Sequence, residues 1–129
     1  MLMEIKVTTQ HRIELIDITH EARKAVTGNT GILVVSVTHT TAGIYINENE
    51  PGLKEDVLNL LDRLVPRQSY QHDRTDNNAD SHLKAILVGN SAVVPVENGT
   101  LKLGTWQRLF FCEFDGPRHR TLHFTFVPT

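Results

Sequence analysis

Apolar and polar positions alternate from Glu4 to Thr9, which predicts a first strand. Ile13 to Ile16 predicts a second, running into a helix that Asp17 or Thr19 can cap; ITHEARKAV follows, and Gly28 stands where a left-handed residue ends a helix. Gly31 to Thr38, GILVVSVT, is apolar on both alternating faces at its start, as a strand covered on both sides would be. The chain returns through Ile44 and Ile46, and Pro51 opens a helix at its first turn, where the missing N–H does no harm. Leu53, Val57, Leu60, Leu61 and Leu64 recur at helical spacing and predict that helix's buried stripe, with Pro66 as its stop. After the polar stretch 67–80, Ser81 to Val88 returns to helical spacing, with Asp80 or Ser81 as cap and Gly89 as stop. The remainder reads as strands: SAVVPV, a hairpin through Glu97-Asn98-Gly99-Thr100 into LKL, then RLFFCEF, an Asp-Gly-Pro turn and RTLHFTFV.

Helices interspersed with hairpin-linked strands predict one α+β domain over residues 1–129, a largely antiparallel β-sandwich with interspersed helices. With 129 residues and 40% hydrophobic content, the chain is sized for one core, not two. On the terminal strand Leu122, Phe124 and Phe126 share one face, and His119, Thr121, His123 and Thr125 the other. The first face is core; the second is polar, wet or packed against another subunit. His119 and His123 stand roughly 13 Å apart at about 3.3 Å per residue, too far to share one metal ion. Arg118 and Arg120 fall on the core parity and are expected to emerge at its rim.

Composition narrows the partners. The net charge of -2 comes without a basic stripe, so nucleic acid is not an expected partner. The amino-terminal residues lack the apolar run of a signal peptide or membrane helix, which makes the cytoplasm the expected location and a membrane no partner. The single Cys112 can form no intrachain disulfide and reads as a small core residue.

Candidate chemistry sits in four segments: His39-Thr40-Thr41, Asn47-Glu48, Asp76 to His82, and Gly104 to Gln107 with Asp115 to Arg118. Each member also has a plain structural use. His39 can be a bonded strand-end residue, the threonines can bond local backbone, Glu48 can favour a helix amino end, and Trp106 reads as core. Asp76-Asn77-Asn78-Ala79-Asp80 opens like a calcium loop, but Ser81 holds the glycine position and Leu87 the glutamate position, which excludes an EF-hand. Clustered acids and asparagines still suit Mg²⁺, and histidines beside carboxylates suit Zn²⁺ or another transition metal, without any zinc spacing motif. Arginine at the rim suits a carboxylate or phosphate.

HTTAGIYINENE, DNNADSHLKAILVGNS, the VPVENG hairpin, LGTWQ and CEFDGPRHR, in this order, closely resemble the YjbQ-like family, also called secondary thiamine-phosphate synthase enzymes. The resemblance implies a homotrimer with pockets near subunit contacts. It also implies a weak thiamine-phosphate synthase activity, joining hydroxymethylpyrimidine diphosphate to thiazole phosphate with release of pyrophosphate. Carried over by motif, the site comprises His39, Thr40, Thr41, Asn47, Glu48, Asp80, His82, Trp106, Gln107 and Arg118. On this reading Glu48 and Asp80 hold a divalent ion, and His39 and His82 are metal ligands or acid–base groups, with Glu48 also catalytic. Thr40, Thr41 and Arg118 hold phosphate oxygens, Gln107 orients the pyrimidine, and Asn47 and Trp106 complete the substrate contacts. Two other readings are a metal-dependent hydrolase of a small phosphorylated substrate and a trimeric ligand-binding module without catalysis.

Overall fold

The computed structural model describes residues 2–129. Among them the elements run β1 (Leu2–Thr8), β2 (Glu14–Asp17), α1 (Thr19–Lys24), β3 (Gly31–Val37), β4 (Ala42–Asn47), α2 (Pro51–Leu64), α3 (Ala79–Val88), β5 (Ser91–Glu97), β6 (Thr100–Leu101), β7 (Arg108–Glu113) and β8 (His119–Pro128), with a 3-10 turn at Gln71–Arg74. All pairings are antiparallel, in a five-stranded sheet ordered β1-β8-β3-β5-β6 and a three-stranded sheet ordered β2-β7-β4. The α+β sandwich expected from the pattern is the fold observed.

Strand alternation puts Leu33, Val35 and Val37 of β3, Val94 and Val96 of β5, and Leu122, Phe124 and Phe126 of β8 on one face of the large sheet. They pack with Ile44, Leu109 and Phe111 of the small sheet and Ile18, Ala22 and Ala25 around α1. Each such leucine or phenylalanine contributes about 1.5–3 kcal/mol by leaving water. The small sheet's other face presents Leu15, Phe110 and Cys112, which pack with Leu61 of α2 and Ala85 of α3. Three layers result: large sheet, small sheet, helices.

This layering decides which strand is covered twice. It is β7, whose Leu109 to Cys112 are all 0% exposed, rather than β3 as its apolar run suggested. Alternate residues of β3 reach the other face of the large sheet, away from the buried cluster and its helix α1. There Leu2, Thr125, Val34 and Val93 line up across four strands, with Val127, Ile32 and Pro95 in a neighbouring row. Leu2, Val93 and Val127 are exposed. Among the described residues no helix is long and apolar enough to cross a membrane.

Local signals hold in part. Asn98 and Gly99 adopt the positive φ values of 52° and 72° that the β5–β6 hairpin requires. Glu50 caps α2 by accepting the N–H groups of Gly52 and Leu53, and Pro51 occupies the first turn. The α1 helix stops at Lys24, short of Gly28. Gly28 is required for packing instead, since a Cβ there would stand 2.7 Å from Phe126 Cε2. Of the predicted α2 stripe only Leu61 is fully buried; Leu60 and Leu64 are exposed, and Leu58 packs in their place.

Candidate functional site

Three chain segments meet at one end of the layers. The link from β3 to β4 carries His39, Thr40 and Thr41, the first turn of α3 carries His82, and the turn from β7 to β8 carries Asp115 and Arg118. Together they line a cleft made of two adjoining cavities of ≈ 450 and ≈ 320 Å³, which share His39, Thr40 and His82. One is walled by Ala42, Ala85 and Ile86; the other is polar, with Asp76, Asn78, Asp115, Arg118 and Arg120. The 3-10 turn lays His72 edge-on against His82 at 4.7 Å between ring centres, with Asp76 Oδ2 3.8 Å from His72 Nε2.

The cleft floor is a buried charge network. Arg120, 4% exposed, pairs through Nε and a terminal nitrogen with the fully buried Glu113. That terminal nitrogen also donates to Thr41 Oγ1 at 2.8 Å. Glu113 further accepts from Thr9 Oγ1 and the Asp115 N–H. Burial pushes the Glu113 carboxyl up, but the hydrogen bonds from Arg120, Asp115 and Thr9 outweigh it and leave it below the usual range. Arg120 was expected at the rim; its counter-charge on β7 draws it inside.

His39 Nε2 accepts the Thr121 N–H at 2.9 Å. The tautomer follows: the proton of the neutral ring resides on Nδ1, so His39 offers the cleft a donor, not a lone pair. Burial and the Arg120 guanidinium hold its pKa below the ordinary 6.5. Arg118 donates to Asp115 Oδ2 and to the Asp115 carbonyl, and Asn78 donates to the same carboxylate. Asn78 stands at the N-cap position of α3 without capping, and its buried Oδ1 meets no donor among the described residues.

The structure brings His39, Thr40, Thr41, His82 and Arg118 together and leaves the other assigned residues elsewhere. Asp80, 2% exposed, accepts from Arg12 and faces Lys84 at 3.8 Å, while Lys84 bonds Asp62 on α2. Asp80 thus ties α3 to the link between β1 and β2, and Lys84 ties α3 to α2. Glu48 and Trp106 line a separate cavity, Asn47 accepts the Glu48 N–H, and Gln107 closes a tight turn by accepting the Gly104 N–H. Trp106 is 72% exposed, against its reading as core. Among the described residues no three histidine, cysteine or carboxylate side chains converge to hold a metal ion. Glu113 and Thr9 escaped the sequence reading, although a lone acid inside RLFFCEF, set against an arginine of core parity, is the signal for such a pair.

Acid should weaken this fold in two stages. His39 has a folded pKa below 6.5, so on falling pH the unfolded chain takes up its proton first, and stability begins to drop below about pH 6.5. Glu113 and Asp115 lie below their ordinary 4.5 and 3.8; at Asp17 burial is outweighed by bonds from Arg108, Thr19 and Asn49, which bring it to about 2. Their contribution is complete above the ordinary values and is lost as pH falls toward the folded ones. Urea unfolding at stepped pH should show a shallow decline and then a steeper one below pH 4.5. A flat profile down to about pH 3 would contradict these networks.

Similar proteins share the whole domain. The family profile described as UPF0047 protein YjbQ-like matches residues 3–129. A UPF0047 protein of Archaeoglobus fulgidus is 54% identical over 119 residues, 92% of this chain and 94% of the relative. UPF0047 protein YugU of Bacillus subtilis is 45% identical over 127 residues, 95% and 96% of the two chains. A crystal structure of a YbjQ-like protein of unknown function from Sulfolobus solfataricus superposes with a TM-score of 0.97 at 36% identity, over 100% of this chain and 97% of that one. One from Clostridium acetobutylicum, described as an uncharacterised conserved protein of the same family, gives 0.93 at 42% identity, over 97% and 99%.

Proposed function

The chain belongs to the UPF0047 YjbQ-like family, and from that premise we propose that its cleft binds the diphosphate of a small molecule and supports a weak thiamine-phosphate synthase reaction. The observation carrying this reading is the convergence of the His39 donor, Thr40, Thr41, His82 and Arg118 beside the amino end of α3. Arg118 uses part of its five-donor fork on Asp115 and keeps the rest for phosphate oxygens. Thr41 Oγ1 accepts from Arg120, so its own O–H is free to donate.

In the transfer, the thiazole nitrogen attacks the pyrimidine methylene carbon. A C–N bond forms as the C–O bond to diphosphate breaks, and pyrophosphate leaves with the bonding pair. Negative charge grows on the leaving group, where fixed donors stabilise it most. His82 makes no side-chain hydrogen bond among the described residues and is the group placed to hold a proton there.

A resident zinc needs three or four converging side chains, which one chain does not offer among the described residues. Mg²⁺ arriving on phosphate needs only one or two carboxylates, and Asp76 is the open one at the cleft. Such an ion supplies charge neutralisation. A metal-dependent hydrolase would have to draw a further ligand from a second chain. Within one chain Asn47, Glu48, Trp106 and Gln107 stand apart from this chemistry, and Asp80 enters it only as support.

The test is thiamine phosphate formation from both precursors with Mg²⁺. His82→Ala and Arg118→Ala should each reduce it at least about tenfold. No product from folded wild type would refute the transfer. A binding module without turnover is the second reading, favoured because His39, Arg118 and Arg120 are already tied down. It predicts heat stabilisation by pyrophosphate with no product formed.

A homotrimer in the cytoplasm belongs to the same proposal, with the apolar rows of Leu2, Val34, Val93, Ile32 and Val127 as its contact. Light scattering should give three times the chain mass, and Val93→Glu should lower it. A monomeric wild type at working concentration would end this part.

A further inference from the structure

The most exposed aromatic residue of the molecule lies outside the cleft. Trp106 is 72% exposed, yet it stands on a fixed turn: the Gly104 N–H donates to Gln107 Oε1 at 2.8 Å and the Gln107 N–H to the Gly104 carbonyl at 3.1 Å. Among the described residues no aromatic ring and no cation lies over its indole. An indole held in water on a rigid support is the usual form of a binding anchor.

Beside it is a cavity of ≈ 360 Å³, walled by Thr105, Trp106, Pro51, Glu48, Asp17 and Arg108. Its charges are not equally available. Asp17 and Arg108 are joined at 2.7 Å, with Asn49 on the same carboxylate, and Glu50 is spent on the N–H groups of α2. Glu48 is half-buried, and its carboxylate has no partner among the described residues. The cavity thus joins an open π face to one unneutralised negative charge. Arg108 carries the positive charge of this lining and Asp17 balances it, so Glu48 and Glu50 leave the cavity net negative and ill suited to an anion.

We propose that this cavity is a second ligand site, separate from the cleft, that takes a small organic cation of the quaternary or protonated amine class. Trp106 supplies the face and Glu48 the counter-charge. A cation over an indole is drawn by the ring quadrupole, and a carboxylate at the same opening selects the cation over a neutral molecule of its shape. The site does not depend on the reaction proposed for the cleft.

Trp106 is the single tryptophan, so indole fluorescence reports this cavity alone. The full chain is titrated with choline, and in parallel with the uncharged analogue in which carbon replaces nitrogen, at constant ionic strength. The expected result is a saturable emission shift with choline, none with the carbon analogue, and about tenfold weaker binding in Glu48→Gln, roughly 1.4 kcal/mol. Calorimetry on Trp106→Leu should show choline binding lost. Three outcomes overturn the proposal: no saturable response to choline, an equal response to the neutral analogue, or an unchanged affinity in Glu48→Gln. A fourth is an indole that acrylamide cannot quench in the protein as purified, because another copy would then cover it.

Discussion

Arg120→Ala should remove about 3–5 kcal/mol of stability, the usual cost of leaving one member of a buried ion pair alone. Glu113 is 0% exposed, and without the guanidinium its carboxylate keeps only the Thr9 hydroxyl and the Asp115 N–H. Thr41 also loses the donor that fixes its hydroxyl. Replacing both charges, Arg120→Met with Glu113→Leu, should recover most of the loss, because the penalty lies in the orphaned charge and not in the missing attraction. Urea unfolding at one fixed protein concentration reads both variants. If Arg120→Ala stayed within about 1 kcal/mol of wild type, the network would be ornamental to the fold.

The second large effect separates the two edges of one imidazole. His39→Gln can place an acceptor near the Nε2 position, preserving the bond from the Thr121 N–H, while removing the Nδ1 donor. His39→Asn can keep an N–H near the Nδ1 position while leaving the Thr121 N–H unpaired. The glutamine variant should fold like wild type and bind pyrophosphate roughly ten- to a hundredfold less tightly, the loss of one hydrogen bond to a charged group of about 1.5–3 kcal/mol. The asparagine variant should bind nearly as well and lose about 1–3 kcal/mol of stability. Calorimetric titration and urea unfolding measure the two properties independently. The opposite pattern would mean that His39 serves the cleft through Nε2 after all.

The architecture was readable where one local rule acts alone. Alternation on β8 identified Leu122, Phe124 and Phe126, Asn98-Gly99 identified its hairpin, and Pro51 identified the start of α2. It was unreadable where a distant partner decides. Nothing near β3 says that the helices pack on the other sheet, and nothing near Gly28 says that Phe126 lies across it. The site shows the same division. His39, Thr40, Thr41, His82 and Arg118 carry motif positions that the fold gathers. Glu48 and Asp80 look alike as metal-binding carboxylates in the sequence, yet Arg12 and Lys84 engage Asp80, and the turn at Gln107 takes Trp106 to another cavity beside Glu48. Residue type and spacing therefore nominated the candidate groups, while long-range pairing chose which of them meet.

The strand order of the large sheet also governs how the chain is made. β8 lies between β1 and β3 and pairs with both, so the seam joining the first strand to the rest waits for the last strand of the domain to leave the ribosome. Until then β1 has no neighbour and the β8-facing edge of β3 stays open, an exposure that invites pairing with other nascent chains. The small sheet waits less, because β2 and β4 can both close on β7 before β8 is complete. Biogenesis of this domain thus ends on one strand, and the same strand places the Thr121 N–H on His39 and Arg120 beneath Thr41. The cleft is completed only when the last strand of the domain docks.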